Sequence, residues 1–147
     1  MQGTPGNMQK NPHYDDVVAE VKAFLADGLA AAVAAGVERE RLIIDPGIGF
    51  GKTAEHNLTL LGNIREFHSL GVPLLVGPSR KAFIGNVLGL VDPHERLFGT
   101  AAALAWCAAQ GVHILRVHDV REMSQVARLA AAIAQTQSPP AHQKRPS

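Results

Sequence analysis

The sequence predicts a parallel α/β fold. Three short apolar runs, at residues 42–44, 73–76 and 113–117, read as strands. Amphipathic helical patterns separate them at intervals of about 30 to 40 residues, the spacing of crossover connections and not of hairpins. The runs are short and mostly apolar, as expected of strands covered on both faces.

In chain order, residues 1–13 are rich in Gly, Pro, Asn and Gln and read as loop. A first helix is expected over 15–35. Val17, Val18, Val21, Phe24, Leu25 and Leu29 recur at three- and four-residue spacings, Asp15 and Asp16 suit a helix N-terminus, and Gly36 stops it. After the 42–44 strand comes a loop with Gly47, Gly49 and Gly51. A second helix is predicted over 53–70, with Leu58, Leu61, Ile64 and Phe67 as its apolar stripe and Gly71 as its stop. A short helix is predicted over about 81–88. Asp92, Pro93 and Glu95 then open another, running to Gln110 and ending at Gly111. Asp119 and Glu122 repeat the start signal for a last helix to about Ala134. Residues 1–134 are taken as one domain, and the polar, Pro-bearing stretch 135–147 as a disordered tail.

Composition excludes several classes. The 147 residues are 46% hydrophobic and 18% charged, ordinary for a globular domain. A net charge of +1 gives no broad basic surface for nucleic acid. Cys107 is the sole cysteine, so no internal disulfide forms and a cytoplasmic location is the default. The longest apolar stretch, 101–109, falls far short of the roughly 20 residues that span a membrane. The histidines show no metal-ligand spacing, so no metal site is expected within this chain.

Chemistry is expected at the strand tips, where parallel α/β folds bind ligands. The first tip carries Asp45, Gly47, Gly49, Phe50 and Gly51; the second Gly77, Ser79, Arg80 and Lys81; the third Arg116, His118 and Asp119. A carboxylate such as Asp45 accepts from the N–H groups of a heterocycle; the alternative is that it only bonds its own loop. Phe50, between two glycines, has something to cover, either core or ligand. Ser79, Arg80 and Lys81 at a helix start suit an anion or an aromatic amine. Arg116 and His118 share one side of their strand and suit a phosphate or pyrophosphate. The alternative there is a structural ion pair, for instance Arg116 with Asp45. A nucleotide loop is a poor match: Gly51, Lys52 and Thr53 fit the end of GxxxxGK(S/T), but Pro46 takes the first glycine position. The GxGxxG fingerprint fails likewise at Lys52.

The strings DPGIGFGK, LLVGPSRKAFIG and ILRVHDV, in that order, together with the opening MQGTPGNMQ and YDDV, resemble the C-terminal half of the dihydropteroate synthase family. The resemblance runs from Met1 to about Ala134. It implies a TIM (β/α)8 barrel and a transferase of folate biosynthesis, the target of sulfonamides. That reaction joins 6-hydroxymethyl-7,8-dihydropterin pyrophosphate to para-aminobenzoate, giving 7,8-dihydropteroate and pyrophosphate. By resemblance Asp45 grips the pterin, Lys81 contacts pterin and aminobenzoate, and Gly77, Ser79 and Phe50 belong to the substrate pocket. Arg116 and His118 hold the departing pyrophosphate, which carries Mg2+ in the family. Full-length members are homodimers. A TIM barrel takes roughly 250 residues and eight strands, whereas three strands are read here. The family's Asn-x-Thr-Pro-Asp-Ser-Phe metal loop, its Ser-Thr-Arg loop and its earlier pterin-binding Asp and Asn are missing. The expectation is therefore a fragment, weakly active or inactive alone. The alternatives are a non-catalytic half-barrel assembly module and, less well supported, a nucleotide-binding domain.

Overall fold

A computed structural model of the chain describes residues 12–136. Most of the opening loop and of the expected tail lie outside that range. The first helix, α1 (Val17–Ala34), starts where Asp16 accepts the N–H groups of Val18 and Ala19, both at 3.0 Å. Glu20 reaches back to the Asp15 and Asp16 N–H groups at 2.8 and 3.1 Å, completing a reciprocal cap. Val17, Val21 and Leu29 are its buried face.

The expected strand at 42–44 shrinks to one residue. Ile44 donates to Pro73 O at 3.0 Å and accepts from Leu75 N at 2.8 Å, a single parallel bridge to Leu74. Pro73 has no N–H to extend the ladder. The other two strands form, also shorter than expected: β1 (Leu75–Val76) and β2 (Ile114–Leu115), parallel, with Leu75 opposite Ile114 and Val76 opposite Leu115. The order is thus Ile44, β1, β2.

The helix predicted over 53–70 breaks in two. Helix α2 (Ala54–Gly62) is capped reciprocally by Thr53 and His56. Asn63 ends it by donating its side-chain amide to Thr59 O at 2.9 Å, a local bond that competes with the helical ladder. A 3-10 segment follows at Ile64–Leu70, where the three-residue spacing of Ile64 and Phe67 buries both completely. Leu58, expected in the stripe, is exposed, and Leu60 takes its place in the core.

Helix α3 (Ala82–Leu88) begins after Lys81 and ends at Gly89. A 3-10 turn at Pro93–Arg96, capped by Asp92 onto His94 N at 2.8 Å, leads into α4 (Leu97–Ala109). Gly99 lets α3 and α4 cross closely: a Cβ there would overlap Ile84. Helix α5 (Val120–Gln135) completes the order and runs one residue beyond the expected domain end.

Ile44, Leu74 and Val76 turn one sheet face toward the helices, where they meet Leu60, Ile64, Phe67 and Cys107. Each such large apolar side chain contributes about 1.5–3 kcal/mol by leaving water. The other face is open, with Ile43 53% and Ile114 37% exposed. Among the described residues no helix is long and apolar enough to cross a membrane.

Candidate functional site

The three tips gather above the C-terminal ends of the strands. In the first, Gly47, Gly49 and Gly51 all have positive φ (69°, 82° and 58°), which explains the alternating glycines. Asp45 Oδ1 accepts Gly47 N at 2.8 Å, closing the start of the loop. Ile48 is buried beneath it. Lys52 is only 5% exposed, and its ammonium donates to the carbonyls of Gly47 and Phe50, both at 3.1 Å. Asn57 Oδ1 accepts Gly49 N at 2.6 Å while its amide donates to Thr53 O at 2.7 Å. Burial pulls the Lys52 pKa down, and the charge of Asp45 partly opposes this. Lys52, which sequence motifs link to phosphate binding, is therefore a staple of its own loop.

Phe50 is 38% exposed and covers a neighbouring tip: the Lys81 ammonium sits 3.7 Å from its ring centroid. In the second tip, Gly77 packs close to Arg116. Ser79 is 4% exposed; its hydroxyl lies 2.9 Å from His118 Nδ1 and accepts the His118 N–H at 3.2 Å. Lys81 is partly buried, and desolvation lowers its pKa. Arg116 lowers it further, while Asp45 raises it.

The ion pair weighed for Arg116 with Asp45 does not form. Asp119 takes Arg80 instead, through Nε at 3.2 Å and through Nη2. This explains why Asp119, at the start of α5, makes no side-chain cap bond. The pair holds the Asp119 carboxyl below its usual range, mainly through the hydrogen bond from Arg80. Arg116 makes no ion pair among the described residues.

Gly77, Ser79, Lys81, Arg116 and His118 line one cleft of about 430 Å³, with Arg80, Pro93 and Val117. Phe50 adjoins it through Lys81, and Asp45 stands exposed at the adjoining tip. Five of the seven residues to which the resemblance gives substrate roles thus share one cavity. Sequence reasoning missed Asn57, Thr100 and Arg96 altogether, and it named Lys52, Arg80 and Asp119 without their supporting contacts: Lys52 and Asn57 under the glycine loop, Asp119 against Arg80, and Thr100 and Arg96 on the Arg80 backbone. Only the apolar context of Thr100 hinted at a buried hydroxyl. Among the described residues no three His, Cys, Asp or Glu side chains gather to hold a metal.

A small parallel sheet covered by crossover helices, with a cationic cleft at its strand tips, defines the class. The sequence profile of the pterin binding enzymes matches residues 1–118, and the chain belongs to that family. Its relatives carry a more particular name. The dihydropteroate synthase of Escherichia coli K12 is 48% identical over 132 residues, 90% of this chain and 46% of the relative. The Yersinia pestis dihydropteroate synthase, solved as a sulfonamide drug complex, superposes with a TM-score of 0.89 at 41% identity, covering 93% of this chain and 50% of that one. The Thermus thermophilus enzyme, solved with 4-aminobenzoate, gives 0.82 at 45% identity, covering 88% and 52%. It has also been solved with 6HMPPP. The chain spans about half the length of the curated relatives it matches, and its fold is part of a TIM barrel.

Proposed function

We propose that this chain carries the C-terminal part of a dihydropteroate synthase active site. In the complete barrel it would serve the joining of 6-hydroxymethyl-7,8-dihydropterin pyrophosphate to para-aminobenzoate. The observation that carries this reading is the convergence of Lys81, Arg116 and His118 on one cleft, with Arg116 free of any carboxylate among the described residues. In that reaction a C–N bond forms between the aminobenzoate nitrogen and the pterin methylene, the C–O bond breaks, pyrophosphate leaves with the electron pair, and the nitrogen gives up one proton. Cations preplaced at the leaving group stabilise the charge it gains. Arg116 and His118 take that role. Asp45, exposed at the adjoining tip, accepts from the pterin N–H edge. Ser79, with the Lys81–Phe50 pair, forms the aminobenzoate wall.

The donors of this cleft are cationic and do not fit a bare divalent ion, so Mg2+ would enter only on the pyrophosphate oxygens. A homodimer and a cytoplasmic location complete the proposal. Isothermal calorimetry with inorganic pyrophosphate tests it. Binding that Arg116→Ala abolishes supports the reading; no binding by the folded chain removes it. With both substrates, little turnover is expected from the chain alone, and rates near those of whole synthases would contradict that part.

A second reading, a half-barrel module that pairs with another copy or a complementary half, draws on the open sheet face at Ile43 and Ile114. A sharp monomer in sedimentation with cooperative melting counts against it. The nucleotide reading has lost its lysine, since Lys52 is spent on loop carbonyls.

A further inference from the structure

Among the described residues, Arg80 is the sole non-glycine with a left-handed backbone, at φ 57°. An L side chain is strained there and persists only where its surroundings over-determine it. Three ties do so. The Arg80 N–H donates to the buried hydroxyl of Thr100 at 3.0 Å. Its carbonyl accepts from Arg96 Nη1 at 3.0 Å. Its guanidinium clasps Asp119 and also donates to His94 Nδ1 at 3.1 Å.

The neighbours of these residues matter more than the ties themselves. Arg80 stands between Ser79 and Lys81, and Asp119 follows His118. The Arg80–Asp119 clasp therefore runs beside the Ser79–His118 hydrogen bond and fastens the second tip to the third. Arg80 lines the cleft, but two of its five N–H groups face Asp119 and a third faces His94, so its two-point face is already taken.

We propose that Arg80 is a positioning residue. Locked in a left-handed turn and paired to Asp119, it aims Ser79 and Lys81 at the wall that carries Arg116 and His118, and it does not itself hold the anion. The proposal rests on the anion-binding reading of the cleft given above.

The test uses the whole chain with inorganic pyrophosphate as probe. Asp119→Asn removes a negative charge beside the cleft. Were Arg80 an anion ligand, the change would free it, and Coulomb attraction alone would tighten binding. The positioning role expects the opposite sign, about tenfold weaker binding by calorimetry. Arg80→Lys, which keeps the charge and loses the two-point clasp, is expected to weaken binding as well. Thr100→Val changes a residue that lines no part of the cleft, and it too is expected to weaken pyrophosphate. Without ligand, the His118 imidazole resonances of Thr100→Val are expected to move toward those of Ser79→Ala, because the Ser79–His118 bond loosens. Tighter binding by Asp119→Asn, or wild-type His118 resonances in Thr100→Val, overturns the proposal. If the unmodified chain does not bind pyrophosphate, the functional reading falls by itself, and the ligand-free resonances still decide the role of Arg80.

Discussion

The two ends of the small sheet use similar side chains to different purposes. At the N-terminal end, polar groups are spent on the backbone. His113 Nδ1 accepts the N–H of Leu74 at 3.1 Å, and His68 Nε2 donates to Gln110 O at 3.0 Å. The two rings meet edge to face at 5.4 Å. At the C-terminal end the polar groups work in two layers. Lys52, Asn57, Arg80 and Asp119 tie loops together, and Lys81, Arg116 and His118 line a cavity whose wall Arg80 also joins. A histidine or a cation thus says little by its type. What separates the ends is whether the chain's own backbone and carboxylates satisfy it.

The contrast can be broken by experiment. The largest expected effect is on stability at the N-terminal end. Phe67→Ala empties a fully buried site and is expected to cost about 3–5 kcal/mol in urea unfolding. Next comes Arg116→Ala at the other end. Pyrophosphate affinity is expected to fall by about 1.5–3 kcal/mol, roughly ten- to a hundredfold, for the loss of a charged hydrogen-bonding partner. Its urea midpoint is expected to hold or rise, since Arg116 opposes the charge on Lys81. His113→Ala strips a buried backbone donor and is expected to cost about 1–3 kcal/mol with pyrophosphate affinity unchanged. Weaker pyrophosphate binding in that variant would erase the division between the ends.

The smallest expected effect is acid sensitivity. The folded-state pKa of Asp119 lies below its ordinary 3.8. Its stabilising effect is therefore fully present above that value and is lost as pH falls through the lower, folded one. Melting temperatures from pH 5 downward are expected to drop more in the parent chain than in Asp119→Asn. Equal slopes would show that the clasp contributes nothing to stability.

Much of the site was legible because its signals are local. A glycine with positive φ, a polar residue ending an apolar run, and an Asp or Thr at a helix start each depend on a few adjacent residues. Those signals picked out the candidates Asp45, the glycine loop, Ser79, Lys81, Arg116 and His118. The break of the second helix was less legible, because Asn63 competes with the helical ladder only once Ile64 and Phe67 find a core to enter. The reduction of the first strand to Ile44 was illegible for a related reason. Strand length depends on the neighbour, and here a proline, Pro73, immediately precedes the bridge partner Leu74.

The sequence by itself determined the succession of helices and parallel strands, the three tips and the chemistry each could offer. Backbone preference and apolar periodicity act over a turn or two, so they can be read in order. Only the tertiary structure decided which charges remain available. Lys52 and Arg80 are as cationic in the sequence as Lys81 and Arg116, yet the first two are tied to loop carbonyls and to Asp119. Residues 39 positions apart, such as Arg80 and Asp119, meet only when packing brings two strand tips side by side. Desolvation and pairing are set by that meeting, and they separate the charges the chain has already engaged from those still available in the cleft.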